Sequence, residues 1–164
     1  MAPDDRAPDD RAPDDRAPDD RAPDDRAGFP PLLPPDQMPP IVDQRSLERT
    51  WRALMGPLGF AGPQLWVMIL AEGRPLGLTK VEAAPLRPEP GEVAGLLDLL
   101  RDVVAADEEL AFLFARPGRT RSGDDVAWAR LLAGSPGGWP VHVANDRELW
   151  VITPDDLTGW ADVG

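Results

Sequence analysis

The chain has no cysteine, no tyrosine and one histidine, His142. Without cysteine there is no disulfide, no thiol nucleophile and no thiolate metal site. One histidine is a poor start for a catalytic zinc, which usually takes three protein ligands. The sequence therefore assigns no catalytic residue, no metal ligand and no cofactor. No apolar run approaches the roughly 20 residues of a membrane span, so no membrane partner is expected. A net charge of −12 and a pI near 4.4 weigh against nucleic acid as a partner. The amino terminus is acidic and lacks an apolar stretch, unlike a secretory or transit signal. The expected compartment is the cytoplasm. Lysine is almost missing, with Lys80 alone against 16 arginines. With the heavy use of alanine, glycine and proline, this bias resembles that of a GC-rich bacterial genome.

What is present begins with a repeat. Ala-Pro-Asp-Asp-Arg occurs five times without error from Ala2 to Arg26. Its apolar side chains are only alanine and proline, so it cannot build a core. Proline every fifth residue blocks a continuous helix. Pro30, Pro31, Pro34, Pro35, Pro39 and Pro40 continue the pattern. Residues 1–40 therefore read as a disordered tail with polyproline-II character. The repeat lacks the two prolines three apart that a P-x-x-P ligand needs. The globular domain is expected over residues 41–158, with a flexible carboxyl terminus at 159–164. About 120 residues suffice for one compact domain and not for two.

Within the domain the hydrophobic pattern changes period several times. Leu47, Trp51, Leu54, Met55 and Leu58 make an apolar helical stripe, with Ser46 as the expected N-cap. Residues 65–70 form a continuous apolar run and read as a buried strand. Residues 77–83 return as a more polar strand. A second helix is expected over 92–106, burying Val93, Leu96, Leu97, Leu100, Val103 and Val104. Residues 110–115 read as another buried strand. A third helix covers 124–133, and residues 139–144 and 148–152 form a closing hairpin across Asn145-Asp146. The order α-β-β-α-β-α-β-β, with about three helices, argues a small α+β domain with a mixed sheet.

Two short stretches carry a family resemblance. Ser122-Gly123-Asp124-Asp125 stands after the third strand, and Val141-His142-Val143 lies on a late strand. Over residues 63–157 the order resembles the JAB/MPN metallopeptidase fold of RadC-type bacterial proteins. That family carries a glutamate near its first strand, a His-x-His-Pro loop and then Ser-x-x-Asp. Here the loop reads Ala115-Arg116-Pro117-Gly118-Arg119-Thr120-Arg121, and Pro63-Gln64 stands at the glutamate's place. The resemblance thus implies a relative without metal ligands and without the base that activates water. Ser122 and Asp125 also fit a capping box opening a helix.

Three arginines, Arg116, Arg119 and Arg121, crowd a loop that leads into a helix amino terminus, where anions are favoured. With His142 they are the candidate anion- or partner-binding residues. Trp139, Trp150 and Trp160 gather near the carboxyl-terminal hairpin and are interface candidates. The function expected is a non-catalytic binding or scaffold domain for an unknown protein partner. The alternative is a degenerate JAB/MPN-like hydrolase, or an enzyme for an anionic substrate, using the 116–121 loop and His142.

Overall fold

The computed structural model describes residues 32–34, 37–135 and 137–159. Most of the expected tail, 1–31 with 35 and 36, lies outside the described residues, as do 160–164. The elements are α1 (Gln44–Met55), β1 (Gln64–Ala71), β2 (Arg74–Glu82), α2 (Pro90–Val103), β3 (Glu108–Ala115), α3 (Gly123–Leu132), β4 (Val141–Ala144), β5 (Leu149–Ile152) and α4 (Pro154–Gly159). The expected α+β order is present, with α4 added at the end.

The strands form one mixed sheet in the order β2-β1-β3-β4-β5. β1 runs antiparallel to both β2 and β3, and β4 antiparallel to β5. Only β3 and β4 are parallel, and α3 connects them. Such a parallel pair requires a crossover, usually a helix. β3 lies at the centre, which explains why its sequence is apolar without alternation. Leu110, Phe112 and Phe114 face α2 and α3, while Ala111, Leu113 and Ala115 face α1. The large side chains fill one layer. The two alanines leave room for Trp51, which is fully buried on the other face. Each fully buried phenylalanine contributes about 1.5–3 kcal/mol. Phe114 also stacks on Trp128, with ring centroids 4.9 Å apart.

The structure corrects two local expectations. The N-cap of α1 is Asp43, whose Oδ1 accepts from Ser46 N at 2.7 Å. Ser46 sits at the third helical position, and its Oγ accepts from Asp43 N at 3.0 Å. Both residue types suit a cap, and the reciprocal pair makes Asp43 the boundary. The helix therefore begins at Gln44 rather than Leu47. On α2, Val93 and Leu97 are buried but Val103 is 64 % exposed. At 100° per residue, Val103 falls about 80° from Val93, off the stripe that meets the sheet.

Candidate functional site

The loops after β3 and β4 lie at the carboxyl ends of two parallel strands, where open α/β sheets tend to hold ligands. Here the chain's own side chains fill that place. Arg116 is 7 % exposed. Its Nε and Nη2 donate to Asp125 Oδ1 and Oδ2 at 2.6 and 2.7 Å. Nη2 also donates to the Thr120 carbonyl at 2.7 Å, and Nη1 to that of Pro117 at 3.1 Å. The hydrogen bond to Asp125 is the chief reason the guanidinium pKa lies above its ordinary value. Asp125 Oδ2 accepts in addition from Ser122 N at 2.7 Å, as the expected capping box requires. Asp146 clamps the same loop from outside, accepting from Phe60 N at 2.9 Å and Gly118 N at 2.7 Å. Those backbone bonds, Gly118 first, hold its carboxyl below the usual range.

The other two arginines differ. Arg121 donates to both Glu148 oxygens at 3.2 and 2.9 Å, and its guanidinium lies 4.9 Å from the Trp150 ring. This pair lowers the Glu148 pKa through the Arg121 hydrogen bond. Arg119 is exposed and forms no ion pair among the described residues. Its charge acts at a distance on Asp146. The loop therefore commits Arg116 and Arg121 to internal pairs and leaves Arg119 to solvent.

His142 is not brought to this loop. Val141 and Val143 face α3, so alternation along β4 turns His142 to the α1 face. Arg116 reaches to α3 on the opposite side of the sheet. His142 is fully buried, and neither ring nitrogen meets a protein partner among the described residues. Burial pushes its imidazole down to about 4. The Pro140 backbone, outside hydrogen-bond geometry, offsets part of that shift. The tryptophans also separate. Trp139 is half-buried and donates to Glu109 Oε2 at 2.8 Å. Trp150 is half-buried under Arg121. Trp160 lies outside the described residues.

A different surface stands out in the structure. The α1-side core joins Trp51 and Leu47 to β1, β3 and the last two strands, and β2 contributes nothing to it. On that uncovered strip Leu76 is 60 % and Leu78 42 % exposed. Between α1 and β2 lies a groove of ≈ 280 Å³, lined by Leu33, Met38, Leu54, Met68, Leu76 and Leu78 among others. A second hollow of ≈ 220 Å³ shares Leu33 and Met38 and meets α1 at Arg49, Thr50 and Ala53. The sequence hid this surface, because Leu76 and Leu78 are set among polar residues and the leucines at 32 and 33 sit inside a proline-rich stretch. The available signal was the pair of leucines two apart on a strand whose other residues are small or polar apart from Val81.

Among the described residues no group of three or more histidine, cysteine or acidic side chains is placed to hold a metal. No described helix is long and apolar enough to cross a membrane. Compared with known proteins, the chain matches no family model, no curated protein and no solved structure.

Proposed function

We propose that this chain is a protein-binding module, and that the face between α1 and β2 is where its partner sits. The observation that carries the reading is the apolar groove of ≈ 280 Å³ at the rim of a sheet edge. Exposed leucines scattered singly are ordinary, but a contiguous apolar concavity is a common mark of an interaction site. Leu32, Leu33, Leu76 and Leu78 gather there, 61 %, 37 %, 60 % and 42 % exposed. β2 adds an open strand edge, a second feature that partner chains use. Pro75 and the register shift opposite Ile69 and Leu70 blunt one end of that edge. The apolar groove is therefore the larger source of affinity. The 116–121 loop gives less support to an anion-substrate reading, since two of its three arginines are already paired.

The test compares the wild type with a Leu76→Asp/Leu78→Asp double variant as bait in cells that make the protein. Both side chains are exposed, so the variant is expected to fold with an unchanged far-ultraviolet dichroism spectrum. Partners retained by the wild type should be absent from the variant, and binding of the recovered partner should be lost in purified components. Identical retention by the two baits, or no retained protein at all, would overturn the reading.

A further inference from the structure

We infer that the partner of the α1/β2 face presents an acidic amphipathic helix, whose apolar side chains enter the groove and whose carboxylates meet a row of arginines on α1. The inference rests on the reading of this face as a protein-binding surface and names the chemistry of the segment it takes.

The two faces of the sheet are unequally covered. α2 and α3 lie on one face, and α1 is the only described helix packed on the other. At about 4.8 Å between neighbours, the five strands span about 19 Å. Packed helices lie about 8–10 Å apart, so the α1 face has room for a second helix beside α1. That place is the groove over β2, floored by Met68, Leu76 and Leu78 and walled by Leu54 of α1. Met38 lines it from a segment that Ile41 N ties to the Gly73 carbonyl at 2.7 Å. Laying the apolar face of a helix into such a groove is a recurring mode of recognition.

The α1 wall carries the charge. Arg45, Arg49 and Arg52 stand at i, i+4 and i+7, within about 60° of one another round the helix. Next round the helix from this row come Ala53, Ser46 and Thr50, which line the adjoining hollow together with Arg49. The row therefore borders the groove on its solvent side, with Arg45 and Arg49 exposed and Arg52 half-buried. None of the three forms an ion pair among the described residues. The nearby carboxylates are engaged or turned away. Asp43 accepts from Ser46 N as the cap of α1, and Glu82 is held by Lys80 at 2.7 Å. Glu48, the one acidic residue within α1, lies on the other flank of the row, away from the hollow. A chain of net charge −12 thus sets three uncommitted cations beside its apolar groove. They complement a helix with acidic residues at i, i+4 and i+7 beside its own apolar stripe, and they disfavour a basic one.

The test measures, at low salt, binding of three labelled synthetic helical peptides to the full chain. All carry leucine at i, i+3, i+4 and i+7, and they differ in having glutamate, glutamine or lysine at the flanking positions. The glutamate peptide should bind about tenfold more tightly than the glutamine peptide. The lysine peptide should bind weakest, which is the reverse of the order that net charge alone would set. Arg45→Gln/Arg49→Gln/Arg52→Gln should erase the preference, and it should leave the far-ultraviolet dichroism unchanged because glutamine matches arginine as a helix former. Leu76→Asn/Leu78→Asn, which alters no charge, should weaken all three peptides alike. Equal affinities, a lysine preference, or a glutamate preference that survives the arginine substitutions would overturn the inference. So would no binding of the glutamate peptide at about 1 mM. In those cases, partner capture that still depends on Leu76 and Leu78 leaves the binding face standing and removes only the acidic helix. If the glutamate peptide needs the arginines but ignores Leu76→Asn/Leu78→Asn, the groove is not the binding face, and the inference fails with it.

Discussion

Arg116 shows how one residue can look like a ligand-binding group in sequence and act as a tie in the structure. Its partner Asp125 is 1 % exposed, so the pair is held away from water. Removing one member strands the other charge, at a cost of about 3–5 kcal/mol. Arg116→Met is therefore expected to destabilise the protein by that amount in urea unfolding. Replacing both, as Arg116→Met/Asp125→Leu, should recover most of the loss, because no buried charge remains. A deficit of about 1 kcal/mol should persist from the lost α3 cap. A double variant as unstable as the single would show that the pair matters for more than charge balance. The pairing was not legible in sequence because its geometry is tertiary. Arg121 and Glu148 are 27 positions apart, and only the docking of the β4–β5 turn against the 116–121 loop joins them.

At the scale of elements, the β1–β2 hairpin turns through Glu72 and Gly73, with φ of 50° and 72°. Two successive positive φ values match the turn type that suits the twist of a hairpin and prefers Asn-Gly. Glycine accepts this conformation freely, but glutamate does so at a cost. Glu72→Asn is expected to raise stability by roughly 0.5–1 kcal/mol, read as a higher urea midpoint with an unchanged slope. Gly73→Ala should do the opposite by more, since its Cβ would collide with the Ile41 carbonyl as well. An unchanged midpoint in both would mean that the turn relaxes without strain. Elements of this kind were readable where one physical signal dominated. The α1 stripe gave a helix, and the unbroken apolar run of β3 gave a central strand. Ends were less readable, because Asp43 and Ser46 are both good caps and only the backbone path chooses between them. Val103 was misplaced because α2 rests on the sheet through a narrow stripe, so a residue at its margin faces water. The α1/β2 groove was illegible for a related reason: it exists only because α1 stops short of the edge strand.

Across the whole molecule, the layered architecture makes stability depend on pH through its one histidine. His142 lies between α1 and the sheet, and burial lowers its pKa from 6.5 to about 4. The unfolded chain therefore takes up the proton more readily than the folded one. Stability should fall as pH drops from about 6.5 to about 4 and then level off in this respect, by about 3 kcal/mol in all. The lowered carboxyls of Asp43, Asp146, Glu148 and Asp156 act in the same direction at lower pH. Their pKa values lie below the ordinary 3.8 or 4.5, so their contribution is present at neutral pH and lost only in acid. The two effects separate by window. His142→Leu should remove the first and keep the second, giving urea midpoints that stay flat from pH 7 to about 4.5. At pH 7 this variant should be at least as stable as wild type, because leucine leaves no unpaired nitrogen on the α1 face. Below pH 4 both proteins should decline together. Parallel curves across the whole range would show that charging His142 is not what couples the α1 layer to acid, and that the proton reaches the ring without parting the layers.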